Sequence, residues 1–159
     1  MNFVDVTVGG FAATVVQTTI VAGSQSMGIS RMDLSFMLGT MVTPDRDRAR
    51  IYGFALHMLN GWAFAFVYAL LFEQFRRATW WEGSIFGFFH GLFMLVVLLP
   101  LLPGIHPRMV SDFAGPEPTR ELEPPGFLGL NYGYRTPLVS ILAHIVYGAI
   151  IGAFYSLHG

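Results

Sequence analysis

The charged residues of this chain are bunched, and four long uncharged windows lie between the bunches. Val6–Ser30 separates Asp5 from Arg31, Ile51–Phe72 separates Arg50 from Glu73, Gly83–Pro107 separates Glu82 from Arg108, and Thr136–Gly159 follows Arg135. Each window exceeds the ~20 apolar residues that a helix needs to cross a hydrocarbon core of about 30 Å. In hydrocarbon the backbone must satisfy its own hydrogen bonds, so each window is predicted to be a helix. The expected fold is therefore all-α, a four-helix transmembrane bundle forming one polytopic domain over residues 1–159. The spans fall near 8–28, 51–73, 83–103 and 136–157, with loops at 29–50 and 104–135. A soluble bundle of the same helices would need polar outer faces, and Phe86–Leu102 has almost none.

The first window is the most polar, with Thr14, Gln17, Thr18, Thr19, Ser24, Gln25 and Ser26. A helix carrying such a stripe is expected to face its neighbours rather than lipid. Met1–Gly10 has no basic segment and carries Asp5, which argues against a cleaved signal peptide. Met32–Met41 is apolar but too short to span, and reads as an interfacial helix starting near Asp33. Pro116, Pro118, Pro124 and Pro125 predict an irregular 108–135 loop. Its acidic run Glu117, Glu121, Glu123 reads as a solvated face.

Composition agrees with this reading. Hydrophobic residues make up 53% and charged residues 12% of the chain, with mean hydropathy +0.55; soluble domains carry about 25% charged residues. Net charge is −1, which leaves no electrostatic footprint for nucleic acid. Cys is absent, which excludes disulfides, thiolate metal sites and Cys nucleophiles. Every basic residue is Arg, which excludes Schiff-base Lys chemistry and a Walker-type phosphate loop. No Asp or Glu lies within a window, which argues against an ion-coupled transporter and against proteolysis by paired carboxylates. The chain is read as no enzyme.

Orientation follows from arginine. Arg31, Arg46, Arg48 and Arg50 lie in one long loop and Arg108, Arg120 and Arg135 in the other, whereas the connection between the second and third spans has only Arg76 and Arg77. The positive-inside rule then puts both long loops in the cytoplasm of a bacterial inner membrane and both termini in the periplasm. Trp80 and Trp81 mark the outer interface, and Tyr132 and Tyr134 the inner one.

The two halves also resemble each other. Gly28-Ile29 and Arg31-Met32 match Gly104-Ile105 and Arg108-Met109 with one inserted residue, and are followed by Phe36 and Gly39 in one half and by Phe113 and Gly115 in the other. His57, Gly61, Tyr68 and Leu70 align without a gap with His144, Gly148, Tyr155 and Leu157. Two tandem helical hairpins related by a pseudo-twofold axis along the membrane normal are the implied arrangement. Small residues recur every four positions as Gly53, His57, Gly61, Ala65, as Ser140, His144, Gly148, Gly152, and as Gly83, Gly87, Gly91. Such rows are read as helix-packing seams; a groove for a lipid or pigment is the lesser reading.

Three histidines, His57, His90 and His144, lie well within the predicted spans. At 1.5 Å per residue, His57 sits about 9 Å and His144 about 12 Å from the inner edge, and His90 roughly 20 Å from it. A same-depth His57–His144 pair has the donors for axial ligation of haem, and a single His could hold a chlorophyll magnesium. The plainer reading is that each His bonds across the bundle to Asn60, Gln17, Thr18 or a carbonyl; a proton path is the third. His90 lies outside the shared plane, which disfavours a three-His metal site. Met58 reads as filler, and His106 and His158 as interfacial or solvated.

Met32-Asp33-Leu34-Ser35-Phe36-Met37-Leu38-Gly39, His57-x-x-x-Gly61 with Tyr68, and His144-Ile145-Val146-Tyr147-Gly148-x-x-x-Gly152 resemble a family of small bacterial four-span integral membrane proteins without a settled activity. The resemblance implies the architecture and no catalytic residue, and the 108–135 loop departs from the family's compact pattern. The expected function is a non-catalytic structural or accessory subunit that contacts the lipid bilayer and other membrane subunits. The alternatives are a haem- or pigment-binding subunit using His57 and His144, and a small lipid or solute carrier. The residues expected to carry packing are Gly53, Gly61, Gly87, Gly91, Gly148 and Gly152.

Overall fold

The computed structural model describes residues 1–111 and 122–157. Pro116, Glu117, Pro118, Arg120 and Glu121 of the long loop, Phe113 and Gly115 of the repeat, and His158 lie outside the described residues. The described chain is all-α. Its helices are α1 (Phe3–Ser26), α2 (Leu34–Gly39), α3 (Arg46–Phe75), α4 (Trp80–Phe93), α5 (Leu99–Ile105) and α6 (Thr136–Phe154). A π-turn, Met94–Leu98, joins α4 to α5 into one rod, and the only extended pairing among the described residues is a bridge between Met109 and Leu122. Phe3–Ser26, Arg46–Phe75, Trp80–Ile105 and Thr136–Phe154 are each long and apolar enough to cross a membrane, as expected of an integral membrane protein.

Local chemistry sets the helix ends. The Asn2 Oδ1 accepts from the backbone N–H groups of Val4 and Asp5 at the start of α1. Asp33 caps α2 by accepting from Phe36 N–H at 2.9 Å, and Asp45 caps α3 by accepting from Asp47 and Arg48. Thr79 and Glu82 form a capping box on α4: Thr79 Oγ1 accepts from Glu82 N–H and donates to Glu82 Oε2 at 2.9 Å. At the end of α1 the chain reverses through Gly28 at φ +70, so that Ile29 N–H reaches back to Ser24 O. The π-turn sits directly ahead of Pro100, which has no N–H for the helical ladder; Leu99 N–H instead bonds Met94 O, five residues back.

The chain divides into two compact units. The first comprises Met1–Ile20, His57–Leu92 and Ser140–Gly159, and packs segments of α1, α3, α4 and α6 as a bundle. Its core is Val6, Ala13, Ala65, Tyr68, Ala69, Phe72, Tyr147, Ile151 and Tyr155. At one end of this unit Tyr155 donates to Glu73 at 2.7 Å, and Ser156 N–H donates to Asp5 at 2.8 Å.

The second unit comprises Val21–Leu56 and Phe93–Val139. Here the two long loops fold on each other. Arg31 N–H donates to Tyr132 O, the Arg31 guanidinium donates to Asn131 O and lies 3.4 Å from Glu123, and Ser30 shares a hydroxyl bond with Thr136 at 2.8 Å. Tyr132 donates to Glu123 O; burial first, then the Glu123 charge, pushes its phenol up to about 12. The short helix α2 is less peripheral than an interfacial helix would be. Met37 and Gly39 are buried, and Gly39 lies against the Ala49 carbonyl of α3.

Candidate functional site

Small residues set the helix contacts of the first unit. A methyl built on Gly83 would land on Gly148 O, and one on Gly148 would land on Gly83 O. Gly87 lies against His144 O, Gly91 against the His144 and Ile141 side chains, and Gly152 against Thr79 O. These contacts zip α4 to α6. On the other side of α3, Gly61 receives the Thr14 side chain, and Gly10 of α1 receives Ala65 and Trp62. In the second unit Gly53 lies against Ser35 O. All six glycines singled out as seams therefore face backbone or side chains of this same chain.

The α1 polar stripe resolves differently from its expectation. Thr14, Gln17 and Ser24 are buried, but Thr19, Gln25 and Ser26 are exposed. Thr7, Thr14, Thr18 and Thr19 each donate to the carbonyl four residues back. A threonine that bonds its own helix needs no neighbour, which is why the stripe can wrap around α1.

The three histidines share the interior of the first unit. His144 Nδ1 donates to Ser140 O at 2.7 Å, which leaves the lone pair on its Nε2. Its ring meets the His90 ring edge-on with centroids 4.7 Å apart. His90 Nδ1 shares a 3.3 Å bond with the Tyr68 hydroxyl, and its ring packs on Phe64 at 3.9 Å. His57 is buried in the same unit. The Nε2 atoms of His57 and His90 are buried with no hydrogen-bond partner. Nearby, Tyr147 donates across the bundle to Gly61 O at 2.6 Å.

Two sequence expectations need correction here. His90 does not lie on a separate plane. Antiparallel α4 and α6 are in register as Gly83–Gly148 and Gly87–His144, so His90 stands about 5 Å along the axis from His144. Counting from the last charge misplaced it, because α4 starts at Trp80 and tolerates Glu82 in its capped first turn. The histidines also do not bond Asn60 or Thr18. Asn60 is exposed, Thr18 bonds its own helix, and His144 bonds the Ser140 carbonyl of its own helix rather than one across the bundle.

The donors for a tetrapyrrole are present, because His57 Nε2 is unpartnered and His144 has its Nδ1 anchored on a carbonyl. The room is not. The space that Gly148 and Gly152 would leave beside His144 is filled by the α4 backbone, and that beside Gly61 by Thr14. The residues do not fit a flat macrocycle at these positions. Among the described residues no group of three or more His, Cys, Asp or Glu is arranged to hold a metal ion.

His106 belongs to a separate network in the second unit. It is buried, and its Nε2 donates to Met37 O at 2.9 Å, while its Nδ1 accepts from Arg108 N–H. The Arg108 guanidinium donates to Thr40 O at 2.6 Å. Together they cap the last carbonyls of α2. Burial, more than the nearby Arg108 charge, holds the His106 imidazole below its ordinary value. Of the two expectations for His106, interfacial or solvated, its burial rules out the solvated one; proximity in sequence to Pro107 and Arg108 gave no hint of the α2 carbonyl.

Compared with known proteins, the chain matches no family model, no curated protein and no solved structure.

Proposed function

We propose that this chain is a small structural or accessory subunit of a larger assembly in a bacterial inner membrane, without catalytic activity of its own. One observation carries the reading. The described parts of the two long loops hold each other through Arg31, Tyr132, Glu123, His106 and Arg108, so the surface that these parts form is ordered in advance. It displays Arg46 and Arg50, both stacked on the Phe36 ring, and the exposed Arg48. A preformed surface loses little conformational freedom when a partner docks. The arginine bias supports an orientation with this surface in the cytoplasm and both chain ends outside.

Gene duplication is part of the same proposal. The aligned pairs Gly61/Gly148 and Ala65/Gly152 each contact the preceding long helix, α1 in one half and α4 in the other. That common pattern supports two related hairpins, and with them membership in the family of small four-span membrane proteins that the motifs resemble.

The test is purification from native membranes in mild detergent. Recovery in stoichiometric amount with other membrane chains is expected; recovery of this chain alone would contradict the accessory role.

A second reading, a carrier or binder of a small neutral solute, is favoured by the unpartnered Nε2 atoms of His57 and His90. A neutral guest suits the site better than an ion, because among the described residues no group of carboxylates and imidazoles is gathered there to offset a buried charge. Isotope-labelled solute retained by purified protein, and lost on His57→Leu, is the expected result; a visible Soret or chlorophyll band would instead restore the tetrapyrrole.

A further inference from the structure

We propose that the lipid-facing stripe of α3 centred on Asn60 is the contact face of a homodimer, in which the Asn60 amides of two copies bond each other near mid-membrane. Asn60 is the fifteenth residue of the 30-residue α3 and stands midway along its uncharged window. Its side chain is exposed, and nothing among the described residues bonds it. A primary amide carries two donors and an acceptor oxygen with two lone pairs. Hydrocarbon offers none of these a partner, and the headgroups lie about 15 Å away in either direction. Other polar side chains near this depth, among them His57, Thr14 and Gln17, are buried in the first unit.

The second copy is the occupant that the chemistry favours. An amide is its own complement: each oxygen can accept from the other's N–H in a closed pair. A twofold axis along the membrane normal keeps every residue at its own depth, so Asn60 meets Asn60 with no shift of either chain. The same stripe, read at helical spacing, continues through Ala63 and Val67, both exposed. Ala63 is small enough to let the two α3 backbones approach, as polar bonds between spanning helices require. The proposal rests on membrane embedding alone and stands apart from the accessory reading.

The chain has no cysteine, so one introduced thiol reports cleanly. Ala63→Cys is placed on the stripe and Leu142→Cys on an exposed position of α6. Each purified full-length protein is reconstituted in lipid vesicles and oxidised with a membrane-permeant copper complex. The A63C protein should form a disulfide dimer at least ten times faster than L142C. Adding Asn60→Leu should slow A63C at least tenfold, and adding Asn60→Gln should slow it far less. Unchanged helicity and an unchanged thermal midpoint of N60L protein separate loss of pairing from loss of fold. Equal rates for A63C and L142C, or an A63C rate indifferent to N60L, would overturn the proposal. So would the absence of any A63C dimer, which would leave the face to another protein or to lipid.

Discussion

Gly83 and Gly148 meet backbone to backbone: the Cβ that either lacks would lie on the carbonyl oxygen of the other. The neighbours of this contact, Gly87 on His144 O and Gly152 on Thr79 O, repeat it along the α4–α6 seam. Without water as a driving force, packing at this distance is what holds spanning helices together.

Alanine at either residue must push the helices apart. Gly83→Ala and Gly148→Ala should each destabilise the protein by about 1–3 kcal/mol, measured as a lower unfolding midpoint in a detergent titration. Gly9→Ala and Gly23→Ala are the controls. Neither Cβ meets anything within 4 Å, so both should leave the midpoint unchanged or raise it slightly.

Removing the Tyr147 hydroxyl deletes its bond to Gly61 O but keeps the ring. Tyr147→Phe should cost about 1 kcal/mol in the same titration. A larger loss would mean that the hydroxyl serves more than this one acceptor.

His57 makes the opposite prediction. A buried nitrogen without a partner is a standing penalty of about 1–3 kcal/mol. His57→Leu should therefore raise the unfolding midpoint of the purified protein. A fall would show that the imidazole has a partner outside the chain, as the solute reading requires.

The His106 network predicts a pH dependence. Its imidazole is held below the ordinary value near 6.5 in the folded protein. Above that value folded and unfolded chains are both neutral, and the α2 carbonyls keep their donor. As pH falls below about 6.5 the unfolded chain takes up the proton first, so stability is lost. The Arg108 guanidinium, the one charged group shown bonding beside His106, opposes protonation in the same direction. Thermal midpoints of wild type and His106→Gln should diverge least at pH 5 and most at pH 8. Parallel curves would contradict this.

Charge spacing revealed the four long helices because hydrocarbon tolerates so few charges. The helices run on past the uncharged windows, because Trp80, Trp81 and a capped Glu82 extend α4, and Arg46–Arg50 belong to α3. The four-residue glycine rows were legible for the same reason that they pack: only they allow backbones to touch. What they touch was not legible, since helix pairing and register are tertiary facts. The His90–His144 contact depends on that register, and the outward Asn60 on the rotation of α3. The π-turn had a visible cause in Pro100, but a proline alone does not say whether a helix kinks, ends or widens.

Membrane crossing by α3 underlies every contact described above, and single cysteines at Thr43, just ahead of that helix, and at Gln74, in its last turn, test it directly. With a membrane-impermeant thiol reagent, Gln74→Cys should react in intact cells and Thr43→Cys only after permeabilisation. Both cysteines reacting from the same side would contradict it.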